Sequence, residues 1–115
     1  MYSTYRNMTK ETIVATPKTT TDTQYIVMGD EELERPYRVI IENDDVTPME
    51  FVVMVLIGIF ELSYERAEEV MLEAHNHGRA YVVTLPLKDA QDRVYMAQSL
   101  ARESSYPLSF YLEPE

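Results

Sequence analysis

Residues 37–52 read Tyr37-Arg38-Val39-Ile40-Ile41-Glu42-Asn43-Asp44-Asp45-Val46-Thr47-Pro48-Met49-Glu50-Phe51-Val52. The run from Tyr37 to Glu42 is rich in β-branched residues, with Val39 and Ile41 on one face, as in a strand. Asn43-Asp44-Asp45 then breaks it, because short amides and carboxylates bond their own backbone and favour turns. Thr47-Pro48-Met49-Glu50 has the form of a capping box. Threonine would stand at the N-cap, proline at the first helical position and glutamate at the third. A helix is therefore expected from here to about Phe60.

Working toward the C-terminus, Ser63 is placed to cap a second helix, with Glu65 favourable in its first turn. Ala67, Val70, Met71 and Ala74 recur at i, i+3, i+4 and i+7, which gives that helix one apolar stripe. Gly78 is placed to end it. Arg79 to Leu85 reads as a strand, closed by Pro86. A third helix should run from about Lys88 to Glu103, with Ala90, Val94, Ala97 and Ala101 as its buried stripe. After Pro107, Leu108, Phe110 and Leu112 alternate with Ser109 and Tyr111, as in a final half-covered strand. The order β-α-α-β-α-β makes an α+β domain. A three-stranded sheet with helices packed on one face is its simplest compact arrangement.

Working toward the N-terminus, residues 1–36 differ in kind. Eight threonines fall there, at positions 4, 9, 12, 16, 19, 20, 21 and 23. Gly29 leads into the acidic run Asp30-Glu31-Glu32 and then Glu34. Such a segment buries too little to offset its ordering entropy. It is expected to be a flexible N-terminal arm, in which Gln24 to Met28 could form a short strand. The expected organisation is an extension over 1–36 and one core domain over 37–115.

Composition narrows the function. The chain has 115 residues, 20 of them acidic and 10 basic, for a net charge of −10. That charge repels phosphate backbones, so no nucleic-acid partner is expected. With no cysteine, disulfides, thiolate zinc sites and a cysteine nucleophile are excluded. The two histidines, His75 and His77, are two apart and would diverge on a helix, a poor chelate. The glycines, Gly29, Gly58 and Gly78, make no phosphate loop. Asn43-Asp44-Asp45 lacks the glycine and later glutamate of a calcium loop. No enzyme, cofactor or metal is expected. No apolar run approaches the roughly 18 residues of a membrane span, and no secretory signal opens the chain. The expected location is the cytoplasm, with no membrane association.

Two groups of residues suggest binding. Taken singly, Asn43, Asp44 and Asp45 have an ordinary role at a helix N-terminus, and His75 an ordinary role as a bonded core histidine. Together, an amide carbonyl, a neutral imidazole and carboxylates are acceptors, and acceptors suit a primary ammonium. Met49, Val52, Met71, Ala74 and Leu108 could wall an apolar pocket beside them, although periodicity alone does not bring these five together. A second feature is the run Phe51 to Phe60, apolar nearly all round. Met54 and Ile57 share a face with Glu50 and Glu61. Either the neighbouring helices cover that face, or it is an exposed strip for a partner or for self-association.

The run from Tyr37 to Asp45, with Thr47-Pro48-Met49-Glu50-Phe51-Val52, resembles the ClpS family, the adaptors of Clp proteases. The likeness continues through Glu65-Arg66-Ala67, Met71-Leu72-Glu73-Ala74-His75, Gly78-Arg79-Ala80 and Leu100-Ala101-Arg102-Glu103, to Pro107-Leu108. It implies an antiparallel sheet and an adaptor that binds proteins bearing a destabilising N-terminal Phe, Tyr, Trp or Leu. The adaptor would pass these N-degron substrates to the N-terminal domain of a Clp AAA+ unfoldase. By position, Asn43, Asp44 and His75 would hold the α-amino group, with Thr47 supporting that rim. Met49, Val52, Met71, Ala74 and Leu108 would line the side-chain pocket, Met49 as its gatekeeper. The N-terminal arm would take part in delivery, and the protein would be a monomer.

Lys88 and Arg93 would lie where the family docks its unfoldase; Lys88 reverses the usual glutamate and Arg93 keeps the usual basic charge. Ala74 replaces a larger residue common in the family, which implies a roomier pocket that prefers aromatic side chains to leucine. A protonated His75 could not accept from an ammonium, so affinity should fall in acid. The alternative is an interaction protein of the same fold that modulates a Clp ATPase or self-associates through Met54 and Ile57.

Overall fold

The computed structural model describes residues 29–115; the strand considered at Gln24 to Met28 lies outside the described residues. The chain divides into two units, Met1–Glu34 and Arg35–Glu115. In the first, Asp30–Leu33 forms a short helix, α1, with Asp30, Glu31 and Glu32 in its first turn. The sequence reading gave this acidic run no structure. Carboxylates at a helix N-terminus are favourable against the dipole, and here they open a single turn.

In the second unit, β1 (Pro36–Glu42) leads to α2 (Met49–Gly58) and α3 (Tyr64–His77). Strand β2 (Arg79–Pro86), helix α4 (Leu87–Glu103) and strand β3 (Ser109–Pro114) follow. This is the expected β-α-α-β-α-β order. The three strands form one sheet in the order β2-β1-β3, and both pairings are antiparallel. The most β-branched run thus takes the central place, with Ile41 opposite Ala80 on one side and Phe110 on the other. The register shifts between Val39 and Ile40, where β2 carries one extra residue, Val82, the arrangement of a β-bulge.

The helices cover the face carrying Val39, Ile41, Ala80, Val82 and Phe110, all buried with Val55, Leu56 and Val70. Ala90, Ala97 and Ala101 on α4 are fully buried; such small side chains let a helix lie close to a sheet, and α4 packs on all three strands. Val94 and Met71, expected within the buried stripes, are only half-buried. One backbone group on each outer strand is bonded to a helix side chain. Arg66 Nη2 donates to the Tyr81 carbonyl at 3.3 Å, and the Phe110 N–H donates to Gln98 Oε1 at 2.8 Å. Such partners blunt an edge that could otherwise pair with another chain.

Helix ends follow the sequence, with one correction. Ser63 Oγ accepts from the Arg66 N–H at 3.1 Å and caps α3. Gly78 ends that helix at φ 92°, a conformation costly for any residue with a Cβ. The capping box expected at Thr47 does not form. Pro48 is the N-cap of α2, and no side chain caps the helix. The Thr47 hydroxyl instead donates to Asp44 Oδ2 at 2.8 Å. The Asp44 carboxylate accepts from both the N–H and the hydroxyl of Thr47, and these charge-assisted bonds hold Thr47 in the turn.

Candidate functional site

The chain leaves β1 at Glu42 and reaches α2 at Met49 through the turn 43–48. The turn's near end is fixed by the Asn43 N–H, which donates to the Gly78 carbonyl at 3.0 Å. Because Gly78 follows α3 directly, that bond sets Asn43 beside the last turn of α3. The turn's centre is held by Asp44. Oδ1 accepts from the Val46 N–H at 2.8 Å and the Thr47 N–H at 2.6 Å, and Oδ2 accepts from the Thr47 hydroxyl. This is an Asx turn with an added side-chain bond.

Partial burial, the largest single influence on the Asp44 carboxyl, raises its pKa. The backbone and hydroxyl bonds from Thr47 and the backbone bond from Val46 together outweigh it, and hold the carboxyl below the ordinary aspartate value. Hydrogen bonds to the charged form favour that form. Asp44 is thus a fixed carboxylate at the mouth of a cleft.

The cleft measures about 310 Å³. Asn43, Asp44, Thr47, Met49, Val52, Met71, Ala74, His75 and Leu108 all line it, so the residues singled out for the rim and pocket are brought together. Val52, Ala74 and Leu108 are buried and form the inner wall. Met71 is half-buried, and Met49 stands at the mouth, 42% exposed. His75 is exposed and lines the cleft. The ordinary reading of it as a core histidine is therefore incorrect. It sits in the last turn of α3, one residue beyond the buried stripe that ends at Ala74.

Sequence reasoning missed Ile41, Glu42 and Pro48, which also line the cleft; Asp45 and Val46 do so too. Glu42 is held by a 3.1 Å bond from Ser109 Oγ. The signal for it was available: it directly precedes Asn43, at the end of a strand whose loop forms the site. Three carboxylates, Glu42, Asp44 and Asp45, therefore line the cleft.

Lys88 and Arg93 stand away from the cleft. Lys88 Nζ lies 3.1 Å from Asp92 Oδ2, with both side chains mostly exposed. Arg93 is turned onto the end of α2. Its Nη1 donates to the Ile59 carbonyl at 2.6 Å, and Nη2 lies 3.4 Å from Glu61 Oε2. A guanidinium near a helix C-terminus satisfies carbonyls that lack an intrahelical partner. Met54 and Ile57 are exposed, 49% and 37%, so the neighbouring helices do not cover that face of α2. Among the described residues, no group of three or more His, Asp or Glu could hold a metal ion. Nor is any helix long and apolar enough to cross a membrane.

Chemically, the cleft offers acceptors at its mouth and hydrocarbon within. Such a site suits a ligand with a cationic head joined to an apolar group.

Comparison with known proteins gives a concordant result. Residues 32–111 match the family described as ATP-dependent Clp protease adaptor protein ClpS. The ATP-dependent Clp protease adapter protein ClpS 2 of Rhizobium meliloti (strain 1021) is 44% identical over 86 residues, 73% of this chain and 85% of that protein. The ClpS adapter of Leptothrix cholodnii is 39% identical over 97 residues, 80% of this chain and 84% of that protein. Among solved structures, Agrobacterium tumefaciens ClpS2 bound to L-phenylalaninamide is 39% identical, with a TM-score of 0.68. The match covers 71% of this chain and 99% of that one. The match spans most of the chain and the whole of the cleft-bearing unit up to Tyr111, and on it the chain belongs to the ClpS family of Clp protease adaptors.

Proposed function

We propose that the protein is an N-degron adaptor: it grips the free N-terminus of proteins that begin with a bulky apolar or aromatic residue and delivers them to a Clp AAA+ unfoldase. The observation that carries this reading is the gathering of the rim and pocket residues around one cleft. Asn43, Asp44 and His75 would accept from the α-amino group, with Thr47 holding Asp44 in place. Met49, Val52, Met71, Ala74 and Leu108 would enclose the first side chain. L-Phenylalaninamide, carried by the similar Agrobacterium protein, is a free amine joined to a phenyl ring and an amide, the chemistry of a peptide's first residue. Burying such a side chain contributes about 1.5–3 kcal/mol, and each hydrogen bond to a charged amine about 1.5–3 kcal/mol. After association costs, micromolar affinity follows.

The test is a fluorescence titration with a peptide beginning with Phe and the same peptide acetylated at its N-terminus. The free peptide should bind in the micromolar range. Acetylation and His75→Ala should each weaken binding roughly tenfold or more, since each removes a bond to a charged group. Equal binding of both peptides would overturn the reading. Delivery is tested by retention on the N-terminal domain of a Clp ATPase, in which Lys88 and Arg93 would take part. The alternative, an interaction protein that ignores chain termini, draws its support from the exposure of Met54 and Ile57; it requires that neither peptide bind.

A further inference from the structure

Helices α2 and α4 are tied together at both ends. Arg93 of α4 holds the Ile59 carbonyl and Glu61 at the end of α2. At the other end, Phe51 in the first turn of α2 meets Tyr106, just past α4, edge to face with ring centroids 4.9 Å apart. The two helices therefore run antiparallel. Between the ties both helices expose apolar side chains. Met54 and Ile57 on α2 are 49% and 37% exposed, and Met96 and Leu100 on α4 are 47% and 36% exposed. Met96 and Leu100 follow Arg93 at i+3 and i+7, so they lie on the side of α4 that faces α2. A Cβ added at Gly58, the residue after Ile57, meets nothing within 4 Å. Single exposed apolar side chains are ordinary, but a strip shared by two helices marks a contact surface. Methionines on it adapt to varied partners.

Carboxylates flank the strip, with the Arg93 guanidinium beside one of them. Glu50 precedes Met54 by one turn, Glu61 follows Ile57 by one turn, and Glu103 follows Leu100 on α4. Glu61 has Arg93 as its partner, whereas Glu50 and Glu103 have no ion pair among the described residues. Two copies stacked through this strip would set Glu50 against Glu50 or Glu61 in either orientation. Like charges so placed cost affinity, and each copy carries a net charge of −10.

We propose that the strip docks a different polypeptide, one that presents apolar side chains between lysines or arginines, as an amphipathic helix with basic ends does. This surface is separate from the cleft and does not depend on how the cleft is used. The probe is a fluorescein-labelled synthetic helix with a leucine stripe and lysines at both ends, titrated into the full chain by anisotropy. The same helix ending in glutamates serves as the comparison. The lysine form should bind with a Kd on the order of tens of micromolar, and the glutamate form at least about tenfold more weakly.

Met54→Gln with Met96→Gln, which leaves the charge unchanged, should weaken the lysine form about tenfold. Gly58→Lys, which fills open space with a like charge, should do the same. Thermal unfolding of each variant reports whether the fold is kept. A peptide beginning with Phe should fail to displace the bound helix. The proposal is overturned if neither helix binds, if both bind alike, or if folded variants bind as the parent does. It is equally overturned if sedimentation shows a dimer that Met54→Gln dissolves, because the occupant is then a second copy.

Discussion

Helices α2 and α3 are neighbours that pack on each other, yet they are built from opposite kinds of sequence. In α3 the polar residues Glu65, Glu68, Glu69 and Glu73 face solvent while Ala67, Val70 and Ala74 are buried. In α2 only Glu50 is charged, and apolar residues occupy both the buried and the exposed faces. Three buried positions, Val52, Val55 and Leu56, anchor α2, as Ala67, Val70 and Ala74 anchor α3. Folding therefore asks the same of both helices, one apolar stripe. The outer face of α2 exceeds that requirement, so its apolar residues must be explained by something other than the core.

The largest test of this difference compares adjacent residues of α2. Leu56 is fully buried and Ile57 is 37% exposed. Leu56→Ala should cost about 2–5 kcal/mol, as cavity-forming core truncations do. Ile57→Ala should stay within about 0.5 kcal/mol, as surface substitutions do. Urea unfolding measures both. A large cost at Ile57 would mean that the outer face is structural after all, and the contrast between the helices would fail.

The helix starts differ as well, and pH separates them. Ser63 caps α3 with a hydroxyl, which does not titrate in this range. The start of α2 depends on the ionised Asp44 carboxylate, which fixes Val46 and Thr47. The folded-state pKa of Asp44 lies below its ordinary value, so ionisation favours the fold. That contribution is complete above the unfolded pKa, about 3.9, and is lost as pH falls through the folded pKa. Ser63→Ala should cost about 1 kcal/mol at every pH. The deficit of Asp44→Asn should be constant near neutrality and shrink below about pH 4. Melting temperatures across pH 3–7, an interval set by that carboxyl value, distinguish the two; parallel curves for both variants would show that the charge of Asp44 contributes nothing.

These starts also mark what was legible in the sequence. The strand, the turn, the three long helices and their order follow from alternation, helical spacing and the Ser63 and Gly78 signals, because those act between residues near in the chain. The capping box at Thr47 does not form because Thr47 belongs to two local patterns, the turn made by Asp44 and the helix start, and sequence does not say which one holds it. The cleft was legible only in pieces. Leu108 lies 56 residues from Val52, and no local pattern joins them; only the resemblance to a family did. The exposure of Met54 was an open choice, since whether the neighbouring helices cover the outer face of α2 depends on contacts between residues far apart in the chain, such as Arg93 with Ile59. The resemblance gives Arg93 a docking position, and its bond to the Ile59 carbonyl does not follow from spacing.

Helix ends extend the contrast at smaller scale. Gly78 closes α3 at φ 92°, where a Cβ is strained. Gly58 lies in the last turn of α2, without a positive φ and with open space around it. Gly78→Ala should destabilise by about 1 kcal/mol, while Gly58→Ala should stabilise by about 0.5–1 kcal/mol. Denaturant midpoints give the sign directly. The same substitution would then have opposite effects on neighbouring helices, for a reason that lies in the backbone alone.

The last contrast concerns what each helix gives the cleft. α2 contributes Met49 and Val52, and α3 contributes Met71, Ala74 and His75. The α3 wall is the thinner one, because Ala74, 3% exposed, ends at its Cβ. Ala74→Val adds two carbons to that wall. On the proposed reading of the cleft, a planar phenyl ring would need the depth that they occupy, whereas a leucine side chain is shorter and would gain contact with them. The Kd of a peptide beginning with Phe should rise about three- to tenfold, or roughly 0.7–1.4 kcal/mol. That of a Leu peptide should change less, so the Phe-to-Leu preference falls. Parallel titrations of the two peptides on parent and variant supply the ratio, and melting temperature separates a reshaped cleft from a loosened one. An unchanged ratio in a well-folded variant would place side-chain selection on the α2 wall, at Met49 and Val52, and make α3 the source of the polar rim alone.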